Sequence, residues 1–275
     1  MFLVKITKIL NNNAVIVKDG EEENIAIGAG VGFGKRKNDM INQGKIEKLF
    51  VLKENEKLQQ LLLRIPEEHL ALSEEIISYA EKQLETNLND HILLALTDHL
   101  SFALEREKQG IHIKNKLLPE IKVLYKEEFE IGLWAIQHIK DRIGIEMPLD
   151  EAAFIALHIH TMKIKGGDLH KTVRQTAVVR DMVETIKDYL GIRIKVDDIA
   201  YERLITHLRF ALSRAKNEEL HVMDEEMFMM IKQKFAVSYQ CALKVAETLT
   251  EKHGVEIPEE ELGYITLHIE RLRKQ

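Results

Sequence analysis

Apolar residues alternate with polar ones from residue 2 to about 52, and beyond that they recur every three or four positions to the end of the chain. The change of period separates a short strand-forming head from a long helical body. In the head, 2–10 (FLVKITKIL), 14–18 (AVIVK), 24–28 (NIAIG) and 45–52 (KIEKLFVL) are rich in Val, Ile and Phe and bounded by Asn or Gly. They predict a four-stranded antiparallel sheet. Asp19-Gly20 supplies a hairpin turn, because both central positions of such a turn favour positive φ. A sheet of this size buries little surface by itself, so dimerisation is expected.

In the body, Pro66 separates a connector, ENEKLQQLLLRI, from the first run of helices, expected near 68–86, 90–108, 115–126, 128–144 and 149–164. A second run is expected near 173–190, 197–216, 224–234, 236–253 and 259–273. Pro148 and Pro258 stand where a helix begins, each followed by acids that suit the positive end of the helix dipole. Gly166-Gly167 breaks the pattern between the two runs.

The two runs are copies of one another. LTDHLSFALER (96–106) returns as LITHLRFALSR (204–214) with seven of eleven positions identical, and MPLDEAAFIALHIH (147–160) returns as IPEEELGYITLHIE (257–270). His99 therefore falls on His207 and His158 on His268, and both offsets identify a tandem duplication of a unit of about 105 to 110 residues. The pattern as a whole predicts a multidomain chain, a small antiparallel β-sheet domain followed by two all-α five-helix bundle repeats.

Composition adds an asymmetry. The chain has 275 residues and a net charge of −6, yet residues 1–54 hold nine Lys or Arg against seven Asp or Glu, with Lys35, Arg36 and Lys37 in succession. A small basic module precedes an acidic body. No segment approaches the length of a membrane span, the N-terminus reads as a strand and not a signal peptide, and the single cysteine, Cys241, allows no intrachain disulfide. These features fit a cytoplasmic protein without membrane insertion.

Two places carry candidate chemistry. The first combines the turn Asn11-Asn12-Asn13 with GAGVGFGKRK (28–37). It reads either as a turn and a solvated charged loop, or as an RNA surface in which amides reach base edges, Phe33 stacks on an exposed base and cations meet phosphates. GxxxxGK[ST] is absent, which excludes a P-loop. The second is the set of four repeated histidines. His99 has Ala95, Leu96, Phe102 and Ala103 as helical neighbours, and His207 has Leu204, Phe210 and Ala211, so each lies on or beside an apolar face. Core packing, a metal site and phosphoryl acceptance are the three readings. HExxH is missing, and His158 and His160 are two apart on different helix faces, which weighs against metal. Imidazole is also a nucleophile that can hold a phosphoryl group, and such a group brings charge to an apolar place. No carboxylate pair, nucleophile triad or cofactor fingerprint stands out, so no catalytic residue, cofactor or metal is expected.

NNNAVIVKDGEEENIAIGAGVGFGKRKNDMI resembles the co-antiterminator (CAT) RNA-binding domain of BglG/SacY-type transcriptional antiterminators, and LTDHLSFALER…FIALHIH with LITHLRFALSR…YITLHIE resembles its two phosphotransferase-system (PTS) regulation domains, or PRDs. The resemblance implies a CAT domain over 1–55, a linker over 56–66, a first PRD over 67–168 and a second over 169–275. It implies a homodimer that binds a hairpin in leader mRNA and prevents the terminator of sugar-use operons from forming. The RNA surface would comprise Lys8, Asn11, Asn13, Gly28, Gly30, Phe33, Lys35 and Arg36, and the phosphoacceptors would be His99, His158, His207 and His268. The phosphocarrier HPr and a sugar-specific enzyme II are the implied partners. Ala29 replaces a basic residue that many relatives carry between the glycines, a pattern similar to the sucrose-responsive branch. Thr206 stands where the first repeat has Asp98, so the two copies of this histidine should differ chemically. The alternatives are a DNA-binding activator carrying the same regulation domains, disfavoured because 1–54 has no helix-turn-helix pattern, and a metal-dependent hydrolase using the four histidines.

Overall fold

The structure is a computed structural model that describes residues 3–19, 22–51, 59, 63–89, 91–164, 167–194, 198–217 and 223–274. Gly20 of the expected hairpin turn, Gly166 of the expected boundary and most of the linker 56–66 lie outside the described residues.

Strands β1 (Leu3–Asn11), β2 (Ala14–Asp19), β3 (Glu22–Ile27), β4 (Met40–Asn42) and β5 (Lys48–Val51) form one antiparallel sheet in the order β4-β1-β2-β3-β5. The sheet has five strands where the alternation predicted four. β4 is three residues long and buries only Ile41, too little to show a period, yet it pairs with Leu3–Lys5. The expected strand over 45–52 is shorter, because Gln43–Lys45 form a 3₁₀ turn and pairing with β3 begins at Lys48. Val4, Ile6, Val15, Val17, Ala26, Val31 and Ile41 form one core cluster, and Ala14, Ile16, Ile25 and Ile27 are buried as well. Residues 14–17 are therefore all apolar because both faces of β2 are covered.

Ten helices follow among the described residues. They are α1 (Glu67–Leu84), α2 (His91–Lys108), α3 (Leu118–Leu124), α4 (Lys126–Ile143), α5 (Leu149–Lys163), α6 (Leu169–Leu190), α7 (Ile199–Asn217), α8 (Glu225–Lys234), α9 (Ala236–His253) and α10 (Glu259–Arg273). The duplication is therefore five helices and five helices, as the repeats predict. Helix α6 starts four residues before its apolar pattern does, because the Asp168 side chain accepts a hydrogen bond from the His170 amide at 2.8 Å and caps the helix there. Helix α3 is shorter than its pattern; Pro119 lies in its first turn and Tyr125 leaves helical geometry at its end.

The chain packs as two compact units, Met1–His112 with Trp134–Pro148, and Ile113–Leu133 with Leu149–Gln275. In the first, the rings of Tyr79 and Trp134 stack at 3.7 Å between α1 and α4, and Trp134 stacks in turn on His138. In the second, Val179, Met182 and Ile186 of α6, Leu204 and Leu208 of α7, Cys241 and Val245 of α9, and Ile265 and Ile269 of α10 share one core. Burial pushes the Cys241 thiol up to about 12, so it behaves as a small apolar side chain. No helix among the described residues is long and apolar enough to cross a membrane.

Candidate nucleic-acid interface and histidine sites

The polar turn and the glycine loop are stitched into one surface. The turn reverses β1 into β2, and β1 carries register irregularities between Ile6 and Lys8 and between Ile9 and Asn11. Such bulges re-aim the side chains beside them. Asn11 Oδ1 accepts from the Asn13 amide at 2.9 Å, and Asn13 Oδ1 accepts from the Gly30 amide at 2.8 Å. Backbone bonds from the Gly28 amide to the Asn13 carbonyl and from the Gly32 amide to the Asn12 carbonyl close the seam. The Asn13 amide oxygen is thus committed to shaping the loop.

Each glycine of the loop has its own reason. A Cβ on Gly28 would collide with the Lys45 carbonyl oxygen, and one on Gly32 with the Asn11 carbonyl oxygen. Gly30 and Gly34 instead adopt φ of +65°, which L side chains rarely do. The outcome is a ledge from which Phe33 projects with 73% of its surface exposed, flanked by exposed Lys35 and Arg36, while Lys8 is exposed on β1. Lys35 Nζ donates to the Met40 carbonyl at 3.3 Å, and the Arg36 amide donates to Asp39 at 2.8 Å. The apolar ring stands in solvent beside cations, an arrangement suited to a stacked base next to a phosphate.

Sequence reasoning missed three residues here. Gly32 is as tightly enclosed as Gly28. Glu47 accepts from the Ala29 amide at 3.2 Å. Glu67, at the start of α1, accepts from the Asn12 amide at 2.7 Å and from its side-chain nitrogen at 2.9 Å. Local pattern gives no sign of Glu67, because it is 55 residues from the turn it holds.

The histidines of the second repeat come together. His207 on α7 and His268 on α10 stack with ring centroids 3.6 Å apart and planes 17° from parallel. They line a cavity of about 200 Å³ with Leu208, Ala211, Arg214, Tyr264 and Ile265. Burial, together with the neighbouring His207 and the charges of Arg271 and Arg214, pulls the His268 pKa down to about 4. Burial and Arg271, Arg214 and Arg203 lower that of His207. Both rings are therefore neutral at pH 7, the form in which imidazole nitrogen is a nucleophile, and they sit in cationic surroundings suited to an anion. Arg214 makes a bidentate pair with Glu261, both contacts at 2.6 Å. Repetition of the histidines does not single out these arginines, although Arg214 lies inside the repeated eleven residues.

His99 lies half-buried on α2 with Asp98 exposed beside it, and His158 lies half-buried on α5; they belong to different compact units. The apolar neighbourhood expected for these histidines is partly corrected, since Phe102 and Phe210 are 59% and 46% exposed and face solvent in both copies. Their period matched the buried stripe while their own positions fall at its edge. A further histidine is engaged: His160 Nδ1 lies 3.0 Å from Glu128 Oε1, and the Tyr125 ring covers the imidazole at 3.9 Å. Bonds from His160 and Lys163 overcome the burial of Glu128 and hold its carboxyl down at about 2.

The CAT RNA binding domain family matches residues 4–59, and the PRD domain family matches 74–162 and 180–272. The chain is 37% identical over 278 residues to the transcription antiterminator LicT of Bacillus subtilis, covering 99% of this chain and all of LicT. It is 36% identical over 277 residues to the beta-glucoside operon antiterminator of Dickeya chrysanthemi, covering 99% of this chain and 98% of that protein. The crystal structure of GlcT CAT-PRDI superposes with a TM-score of 0.54 at 36% identity, over 59% of this chain and 99% of that one.

Proposed function

Since the chain belongs to the BglG/SacY-type transcriptional antiterminators, with an RNA-binding CAT domain ahead of two PRDs, we propose that it is a cytoplasmic homodimer switched by histidine phosphorylation. Its CAT domain spans 1–55, a linker 56–66, and the PRDs 67–168 and 169–275. The dimer binds a leader mRNA hairpin through Lys8, Asn11, Asn13, Gly28, Gly30, Phe33, Lys35 and Arg36, and read-through of a sugar-use operon follows. The bond from Gly30 to Asn13 and the exposure of Phe33 support that surface. Twofold symmetry in the protein would match two similarly shaped parts of the hairpin.

Control comes from the phosphotransferase system, through HPr and a sugar-specific enzyme II, acting on His99, His158, His207 and His268. The protein receives phosphate and catalyses no metabolic reaction. The observation that carries this reading is the stacked His207–His268 pair, neutral at pH 7 and lining one cavity with Arg214. The DNA-binding alternative draws no support from the head, whose described residues before Val51 form a sheet and one 3₁₀ turn.

Incubation with the phosphotransferase components tests the reading. The expected result is acid-labile, base-stable phosphate on the wild-type chain and its loss when all four histidines are replaced by alanine. Full labelling of the fourfold variant would refute it.

A further inference from the structure

Helices α7 and α10 are joined at two places seven residues apart on each helix. His207 meets His268 at one end, and Arg214 meets Glu261 at the other. Seven residues are two turns, or about 10 Å of helix, so all four side chains lie along one seam. The cavity between the two links is lined by both imidazoles and by Arg214. Glu261 is 1% exposed, and among the described contacts Arg214 is its cation. Arg214 also lies over the Tyr264 ring at 5.7 Å, and both line the same cavity.

From this geometry we infer that Arg214 is the cation that binds the phosphoryl group once a histidine has accepted it: on phosphorylation of the His207–His268 pair it exchanges Glu261 for the phosphate. The inference rests on the proposal that this pair accepts phosphate. In the transfer, the N–P bond of the donor's phosphohistidine breaks and its electron pair returns to the donor ring. The lone pair of the accepting nitrogen forms the new N–P bond, while the proton on the acceptor's other nitrogen stays in place. The group gained carries a charge of about −1.5 to −2 and three acceptor oxygens, a stronger partner for a planar guanidinium than one carboxylate. Glu261 is then a buried carboxylate without its cation, a costly state that α7 and α10 relieve by shifting against one another. Arg214 is thus a positioning residue whose change of partner converts phosphate into movement.

The sequence supports this independently. The first repeat carries the same four residue types in the same register: His99 is seven before Arg106, as His207 is before Arg214, and Glu151 is seven before His158, as Glu261 is before His268. The duplication keeps this set while changing Asp98 to Thr206 beside the histidine.

The test uses the full chain carrying His99→Ala and His158→Ala, so that label enters only the second repeat, with initial rates of phosphate incorporation from HPr as the readout. Glu261→Gln, which frees the arginine, is expected to label at least as fast as this parent. Arg214→Gln combined with Glu261→Gln keeps a neutral hydrogen-bonded pair in the seam and is expected to label at least about tenfold more slowly. Arg214→Lys should recover most of the rate. That recovery by a cation without the guanidinium's bidentate geometry is what a purely structural arginine would not give; imidazole titrations followed by NMR should also move upward in the double variant, as loss of a nearby cation requires. A double variant that labels at the parental rate with unchanged circular dichroism would overturn the inference alone. A parent that takes no label, while the wild type does, would overturn both the inference and the assignment of the second repeat as an acceptor.

Discussion

At His268 two costs coincide, loss of water and proximity of cations, and together they hold the ring neutral far below the usual imidazole range. Its folded pKa of about 4 lies under the unfolded value of 6.5. The stability it contributes is therefore complete above pH 6.5 and is lost as pH falls from there toward 4. NMR titration should place both His207 and His268 below 6.5, with His268 the lower, and His268→Ala should lessen the loss of stability across that window. Titration of either ring above 6.5 would contradict the cationic environment. The glycines give a second residue-scale prediction. Gly34→Ala meets no atom within 4 Å and pays only for its left-handed φ, about 1–2 kcal/mol. Gly28→Ala and Gly32→Ala drive a methyl group into backbone oxygens, so both should lose far more stability in chemical denaturation and abolish hairpin binding.

Among the elements, those with a long period were legible in the sequence and those made by tertiary pairing were not. The ten helices among the described residues were visible from their three-to-four-residue apolar period and their proline and glycine boundaries, and the duplicated segments supplied a check on α2 against α7 and on α5 against α10. β4 escaped because a three-residue strand has no period, and Glu67 escaped because nothing local ties it to Asn12. The residues proposed to face RNA stand out in the sequence as a motif, whereas the Asn13–Gly30 bond that shapes their loop required the fold. The paired histidines were legible as a repeat; the arginines around them were not, because charge on a helix surface ordinarily signals only solvent. Caps belong to the same scale. Asp168→Ala and Asp224→Ala each remove a side chain that accepts from a first-turn amide, and each should cost about 1 kcal/mol in chemical denaturation. Loss of the Asp168 cap should fray the start of α6, seen as faster amide exchange there.

In the whole molecule, a basic β-sheet head is joined to a duplicated acidic body, the one RNA-binding and the other proposed to control it. If phosphate on the body changes affinity for RNA at the head, then bound RNA must change the free energy of phosphorylation by the same amount. Under the proposed function the histidine pair would supply the chemistry, and the exchange of Arg214 from Glu261 to phosphate would supply a physical route from added charge to displaced helices. The most direct test is the affinity of the full chain for its leader RNA hairpin, measured by gel shift before and after phosphorylation by the phosphotransferase components. The expected result is a change of at least about fivefold, absent when His99, His158, His207 and His268 are all alanine. Equal affinity in the two states, with phosphate shown to be on the histidines, would contradict it.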